Sequence, residues 1–245
     1  RSVAVTGVQT CALPILNLNF LSYNMTGVVG GNQTPSGGYG GVLHAIIGTL
    51  EITAGAMVIS IPIGLMCAVY LVEYSNRGKL ATTVSLLVDV MSGIPSIVAG
   101  LFAYALMAMV FGPGTINGFS GSLALAVLMV PIVVRATEEL LRIVPNELRE
   151  ASYALGVPKW RTILKIVLPT AISGIVSGVI LAIARIIGET APLMIAAGFT
   201  QSINNNFFSG PMMTLPTFVY DQYAYRGIPP EAFVDRAWAG ALALI

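Results

Sequence analysis

Apolar residues run along this chain in long blocks, separated by shorter stretches where polar and charged residues gather. The first block, 42–72, reads VLHAIIGTLEITAGAMVISIPIGLMCAVYLV and is interrupted only by His44 and Glu51. The second, 84–112, holds Asp89; the third, 118–140, meets Arg135; the fourth, 166–198, contains Arg185 and Glu189. A fifth starts at Ala237 and is nine residues long at position 245. A helix needs about 20 apolar residues to cross a hydrocarbon core of about 30 Å. The pattern therefore predicts an all-α, polytopic transmembrane helix bundle with the last span incomplete. Gly48, Gly55, Gly64, Gly93, Gly100, Gly174 and Gly178 suit close helix packing in lipid. Pro62, Pro95 and Pro131 fall inside spans, where neighbouring helices tolerate kinks. Gly93-Ile94-Pro95-Ser96 predicts a break within the second span.

Composition agrees with the pattern. Only 9% of residues are charged, against about 25% in a soluble domain, and the mean hydropathy is +0.83. The placement of charge says more than its net value. Arg77 and Lys79 fall in the connector 73–83, and Arg135, Arg142, Arg149, Lys159, Arg161 and Lys165 in 135–165. The opposite connectors, 16–41, 113–121 and 199–236, carry only Arg226 and Arg236. That positive-inside bias puts 73–83 and 135–165 in the cytoplasm and the Gly/Asn/Ser-rich 16–41 outside, as a periplasmic loop. The first complete span then runs inward, so an earlier span entering from a cytoplasmic N-terminus is expected. Residues 1–15, RSVAVTGVQTCALPI, resemble a translated sequencing adaptor and are set aside from fold reasoning. Both ends read as truncated.

The segment from Glu150 to Pro169, EASYALGVPKWRTILKIVLP, is polar and broken by Gly156-Val157-Pro158, yet lies between two spans. Its first part predicts a short cytoplasmic helix. Asn146 is placed to cap it, Glu147 and Glu150 suit the first turn, and Gly156 suits the C-terminus. Ala151, Ala154 and Leu155 give it a small apolar face, which fits either a docking element for another protein or an ordinary loop helix.

Within the membrane, Arg185 and Glu189 stand four apart, a spacing that puts them on one helix face. A charge at mid-span costs about 2.5–3.5 kcal/mol on the insertion scale, so it should face a cavity or a partner. A mutual ion pair is one explanation. An anion path is the other, since guanidinium offers a planar fork that matches oxyanions. Glu189 would neutralise Arg185 when the path is empty, or accept a hydrogen bond from a protonated oxyanion. Arg135 is either a second anion contact or a side chain reaching for the cytoplasmic interface; Asp89 reads as a helix-packing acceptor.

Cys11 and Cys67 make neither a disulfide framework nor a metal site, and His44 reads as an interfacial residue. No G-x-x-x-x-G-K-[ST] loop is present, so the chain does not bind ATP in that way. No HExxH, GxSxG or Cys/His cluster points to catalysis, so the chain is expected to be no enzyme and to hold no cofactor or metal. Two N-x-T triplets, at Asn24 and Asn32, are incidental.

The residues Glu150-Ala151-Ser152, Gly156, then Ile166, Leu168 and Pro169 match the Glu-Ala-Ala, Gly, Ile-x-Leu-Pro signature of ABC importer permeases at six of seven fixed positions. Serine replaces the second alanine. The wider stretches VDVMSGIPSIVAGLFAYAL (88–106), VVRATEELLRIVPNELREASYALG (133–156) and AIARIIGETAP (182–192) resemble the permeases of the phosphate transport system. TLPTFVYDQY and AWAGAL favour one permease type of that system over the PstC type. The resemblance covers about 40–245. It implies a type 1 transmembrane domain over 42–245 and a coupling role for Glu150, Ala151, Ser152, Gly156 and Pro158. It further implies a PstC-type second permease, two PstB-type ATP-binding subunits that hold the ATP, and a periplasmic phosphate-binding protein, in a bacterial cytoplasmic membrane. Another oxyanion (molybdate, sulfate, phosphonate) is the nearest alternative. A membrane signalling subunit and a secondary transporter are further ones.

Overall fold

The computed structural model describes residues 16, 18–28, 40–75, 78–225, 227–228 and 230–245. The adaptor-like 1–15, the glycine-rich 29–39, Arg77 and Arg226 lie outside the described residues. All regular structure among those described is helical. The helices are α1 (Leu18–Ser22), α2 (Leu43–Tyr74), α3 (Lys79–Ser92), α4 (Ser96–Phe111), α5 (Gly118–Ile143), α6 (Asn146–Ala154), α7 (Lys159–Ile187), α8 (Ala191–Ala196), α9 (Leu215–Ala224) and α10 (Pro230–Leu244). Helices α2, α5 and α7 are each long and apolar enough to cross a membrane, and α3 with α4 pass the same test as a pair.

The second apolar block breaks between Ser92 and Ser96, at the Gly-Ile-Pro predicted to interrupt it. The fourth block departs from expectation. Its helix ends at Ile187, Gly188–Thr190 is not helical, and α8 restarts at Ala191. Pro192 explains this: within a continuing helix its ring would strike the carbonyl four residues back, that of Gly188, and it has no N–H to donate. At the first turn of α8 neither defect matters. The block 166–198 is thus one long helix that also extends back to Lys159, a linker, and a short helix.

The chain divides into two compact units. One comprises Ala56–Pro95 and Ala126–Ile186. In it Val134 of α5 packs with Ala68, Leu71, Ala81 and Val88, and Leu141 and Val144 pack with Val167 and Ala171 of α7. Gly64 lies against Val133, and Gly178 against Ala136, where a Cβ would come within 2.9 Å of the alanine methyl. Small residues set the helix spacing here, since lipid supplies no hydrophobic drive between helices. Helix α5 is the central element, 56% of its apolar window being buried within the chain, whereas only 11% of that of α7 is. Most of α7 therefore presents its side chains outward.

The other unit comprises the described residues up to Gly55, with those of Ser96–Leu125 and Ile187–Ile245. Its core gathers Phe20, Val42, Ala45, Met213, Phe218 and Ala239. Thr214 and Thr217 form a reciprocal cap at the start of α9, and Thr49 Oγ1 accepts the Leu215 N–H at 2.8 Å. Helix α8 packs on α4 through Gly100, where a Cβ would meet the Pro192 Cα at 2.6 Å and its carbonyl oxygen at 2.7 Å. Backbone cannot swing aside as a side-chain tip can. Gly100→Ala is therefore expected to lower the thermal midpoint in detergent by an overpacking cost of about 1–3 kcal/mol. Gly78→Ala, where nothing lies within 4 Å and φ is −70°, should leave the midpoint in place. Equal midpoints for the two variants would mean that the close approach of α4 and α8 is not a constraint.

Candidate functional site

Helix α6 and the turn after it build a projecting element with two unlike faces. Glu147, Glu150, Ala151 and Ala154, spaced at three and four, are exposed, while Arg149 is largely covered and Ser152 buried. The N-terminus starts from Pro145 rather than a side-chain cap, correcting the expected role of Asn146. Asn146 Oδ1 instead accepts a hydrogen bond from Arg149 Nη1 at 3.1 Å. At the C-terminus Gly156 has φ +73°; its N–H donates to the Tyr153 carbonyl at 2.9 Å and the Val157 N–H to that of Ser152 at 3.2 Å. This is the paired-bond helix stop that glycine favours. Pro158 then opens α7, where its fixed φ and missing N–H cost nothing.

The inward face anchors the element. Arg149 Nε and Nη2 donate to Glu73 Oε1 at 3.0 and 2.9 Å, Nη1 to the Val144 carbonyl at 2.6 Å, and Nη2 to that of Leu141 at 2.9 Å. The side chains are 12% and 4% exposed, so this is a buried pair and not a surface one. Ser152 Oγ shares a 2.8 Å hydrogen bond with Thr162 Oγ1. Ser152, placed among the outward-acting residues by the signature, thus faces inward and ties α6 to α7. Leu155, 83% exposed, and Leu148 and Tyr153 complete the outward face. No sequence reading marked Arg149 and Glu73 as a pair, since 76 positions separate them.

Arg135 is held on all sides. Its Nη1 donates to Glu138 Oε2 at 2.6 Å, and its Nη2 to Ser85 Oγ at 3.0 Å, the Ser85 carbonyl at 3.1 Å and Asp89. Arg142 takes the other oxygen of Glu138 at 2.6 Å. Asp89, Glu138 and Arg142 line an open cavity of about 860 Å³ with Thr82, Ser85 and Asn146. The two carboxylates are matched by the two guanidiniums, and the bonds of Arg135 to Ser85 and Asp89 tie α3 to α5.

Arg185 lies exposed on α7, on the outward stripe with Ser173, Ser177 and Leu181. Among the described residues it makes no ion pair. Glu189 is half-buried in the linker beyond the helix end. The expectation that the two share a helix face is corrected, because the helix does not reach Glu189. No group of His, Cys, Asp or Glu able to hold a metal occurs among the described residues.

An anchored, outward-facing helix between two spans agrees with the comparison to known families. Residues 60–221 match the model of the binding-protein-dependent transport system inner membrane component. The chain belongs to this permease family. Within it the chain falls with the PstA permeases. It is 50% identical to "Phosphate transport system permease protein PstA 1" of Mycobacterium tuberculosis over 84% of this chain and 66% of that one. It is 42% identical to "Phosphate transport system permease protein PstA" of Xylella fastidiosa over 84% of this chain and 70% of that one. The chain thus spans a little under two thirds of the mycobacterial relative's length. Among solved structures, a chain of the inward-facing MetNI methionine ABC transporter superposes with a TM-score of 0.61 at 22% identity, covering 83% of this chain and 87% of that one. A chain of an amino acid ABC transporter superposes at 0.57 and 21% identity, covering 82% and 86%. The fold is therefore that of type I ABC importer permeases. Family membership leaves the local assignments to geometry, and in this permease the geometry separates the outward face of α6 from its inward anchor.

Proposed function

We propose that this permease is the membrane-spanning subunit of an ATP-driven importer of inorganic phosphate in the bacterial cytoplasmic membrane. It performs no catalysis itself. A separate PstB-type ATPase, in two copies, hydrolyses the ATP and works on the permease through α6, with Glu150, Ala151 and Gly156–Pro158 as the contact and lever. A PstC-type permease forms the other half of the path, and a periplasmic phosphate-binding protein delivers the ion. The observation that carries this reading is the two-faced α6, bound inward by Arg149 and Glu73 and bare outward. A rigid anchor on one side and an uncovered acidic and apolar face on the other is what a force-transmitting contact needs. The names of the relatives support phosphate as the cargo.

Arg185 is the proposed anion contact. It projects from the outward face of an apolar helix with no ion-pairing partner among the described residues, so its charge needs water, an anion or a partner subunit. Arg135, already bonded to two carboxylates, is assigned to bracing.

Phosphate uptake by the assembled transporter tests the reading, with Arg185→Gln beside the parent. Losing a charge-assisted contact of about 1.5–3 kcal/mol predicts a fall in uptake of at least tenfold in a variant that still assembles. Unchanged uptake would remove Arg185 from the path. Sulfate or molybdate uptake in place of phosphate would overturn the cargo and leave the permease fold and coupling element standing.

A further inference from the structure

Neither the coupling element nor Arg185 uses a cleft between the end of α2 and the start of α7. It holds about 380 Å³ and is walled by Leu65, Met66, Val69, Leu164 and Leu168. Both helices widen to a π-helical turn at this level, Tyr70–Tyr74 on one wall and Ile163–Val167 on the other. On the first, the Ser75 N–H reaches back to the Tyr70 carbonyl at 3.0 Å; the second comes just before Pro169, which cannot donate to the helix ladder. Such turns are rare and concentrate at functional sites.

The rim has a different chemistry from the walls. Tyr74 and Trp160 stand there, 48% and 54% exposed. The Lys159 ammonium lies 5.1 Å from the Tyr74 ring centroid and the Arg161 guanidinium 5.3 Å from that of Trp160. Lys165 is exposed one turn further on. Among the described residues none of these cations forms an ion pair, and no lining residue is acidic; Glu73 nearby is taken by Arg149. The positive-inside bias assigns this end of both helices to the cytoplasmic interface.

An aliphatic slot, an aromatic collar at the interface and unpaired cations above it reproduce the profile of a phospholipid from acyl chain to phosphate. We propose that this cleft binds one anionic phospholipid of the cytoplasmic leaflet, with an acyl chain between α2 and α7 and the headgroup phosphate held by Lys159 and Arg161. The inference goes beyond the transport reading and does not depend on the cargo. A lipid here would clamp the base of α7, directly after Pro158, and so make the coupling element responsive to the anionic lipid content of the membrane.

Trp160 reports on its own neighbourhood. The sequence has two tryptophans, Trp160 and Trp238, so Trp238→Phe leaves one emitter. The full chain carrying that change is reconstituted in phosphatidylcholine vesicles containing a small fraction of lipid with brominated acyl chains. Brominated phosphatidylglycerol is expected to quench Trp160 at a several-fold lower mole fraction than brominated phosphatidylcholine, basic residues near an anionic surface being worth about fivefold each. Adding Lys159→Gln and Arg161→Gln should remove that preference, whereas Lys79→Gln, outside the cleft, should keep it. Equal quenching by both lipids in the parent would make the contact ordinary annular lipid and overturn the site. So would a preference that survives loss of Lys159 and Arg161, or one that Lys79→Gln removes equally. Quenching by neither lipid would show the cleft closed to the bilayer and would equally overturn the proposal.

Discussion

Replacing Arg149 with alanine is expected to cost the fold about 3–5 kcal/mol, the usual range for breaking a buried ion pair from one side. The change removes the two donors to Glu73, whose side chain is 4% exposed, and strands its charge away from water. It also takes donors from the carbonyls of Leu141 and Val144 at the end of α5. Arg149→Lys keeps the charge but loses the fork that reaches four acceptors, so an intermediate loss is expected. Denaturation in detergent of the parent, Arg149→Ala, Glu73→Gln and the double variant measures the coupling. The double variant should be much less destabilised than the sum of the singles. A loss of 1 kcal/mol or less in Arg149→Ala would show a pair that water already screens, and the anchored-helix account would fail with it. Uptake should fall in parallel, because an unanchored α6 would yield to the ATPase rather than move the spans.

Gly156→Val is expected to reduce phosphate uptake at least tenfold while leaving membrane insertion and ATP hydrolysis by the partner in place. Nothing lies within 4 Å of a Cβ at this position, so crowding plays no part. The cost lies in the backbone. The residue sits at φ +73°, and the left-handed region costs a side chain about 1–2 kcal/mol, valine being among the worst occupants. The chain can relieve that by unwinding the helix stop, which loses the bonds from Gly156 and Val157 and turns α6 relative to Pro158. Gly156→Asn separates backbone conformation from mere bulk, since asparagine tolerates the left-handed region and should retain most uptake. Full uptake in the valine variant would show that the geometry of this turn does not transmit force.

The Arg149–Glu73 contact is absent from run-length and local pattern, whereas the turn at Gly156 is legible in them. What the sequence by itself determined was whatever depends on neighbours along the chain. Apolar block length marked the spans, because a helix must cover a fixed hydrocarbon thickness. The distribution of basic residues predicts their orientation. Glycine after a short polar helix marked the stop at Gly156, and Gly93-Ile94-Pro95 the break between α3 and α4, because backbone conformation there is a property of the residue itself. The end of α7 at Ile187, short of Glu189, was not legible in the apolar run: Pro192 disfavours a continuous helix there, but α2 and α5 run through Pro62 and Pro131.

Only the tertiary structure decided which polar groups meet. Glu73 closes one span and Arg149 lies 76 positions later; they pair because α6 folds back beneath the end of α2. Arg135 bonds to Ser85 and Asp89, the latter 46 positions away, because α3 brings them to its guanidinium. Ser152 turns inward, against the outward role that the signature implied, because Thr162 lies opposite it. Arg185 keeps an uncovered charge because α7 is the least buried of the long helices. Hydrophobic pattern determines that each helix forms, but side-by-side placement of helices, and so the partners of their few charges, is settled by small residues such as Gly64 and Gly178 that let particular backbones approach.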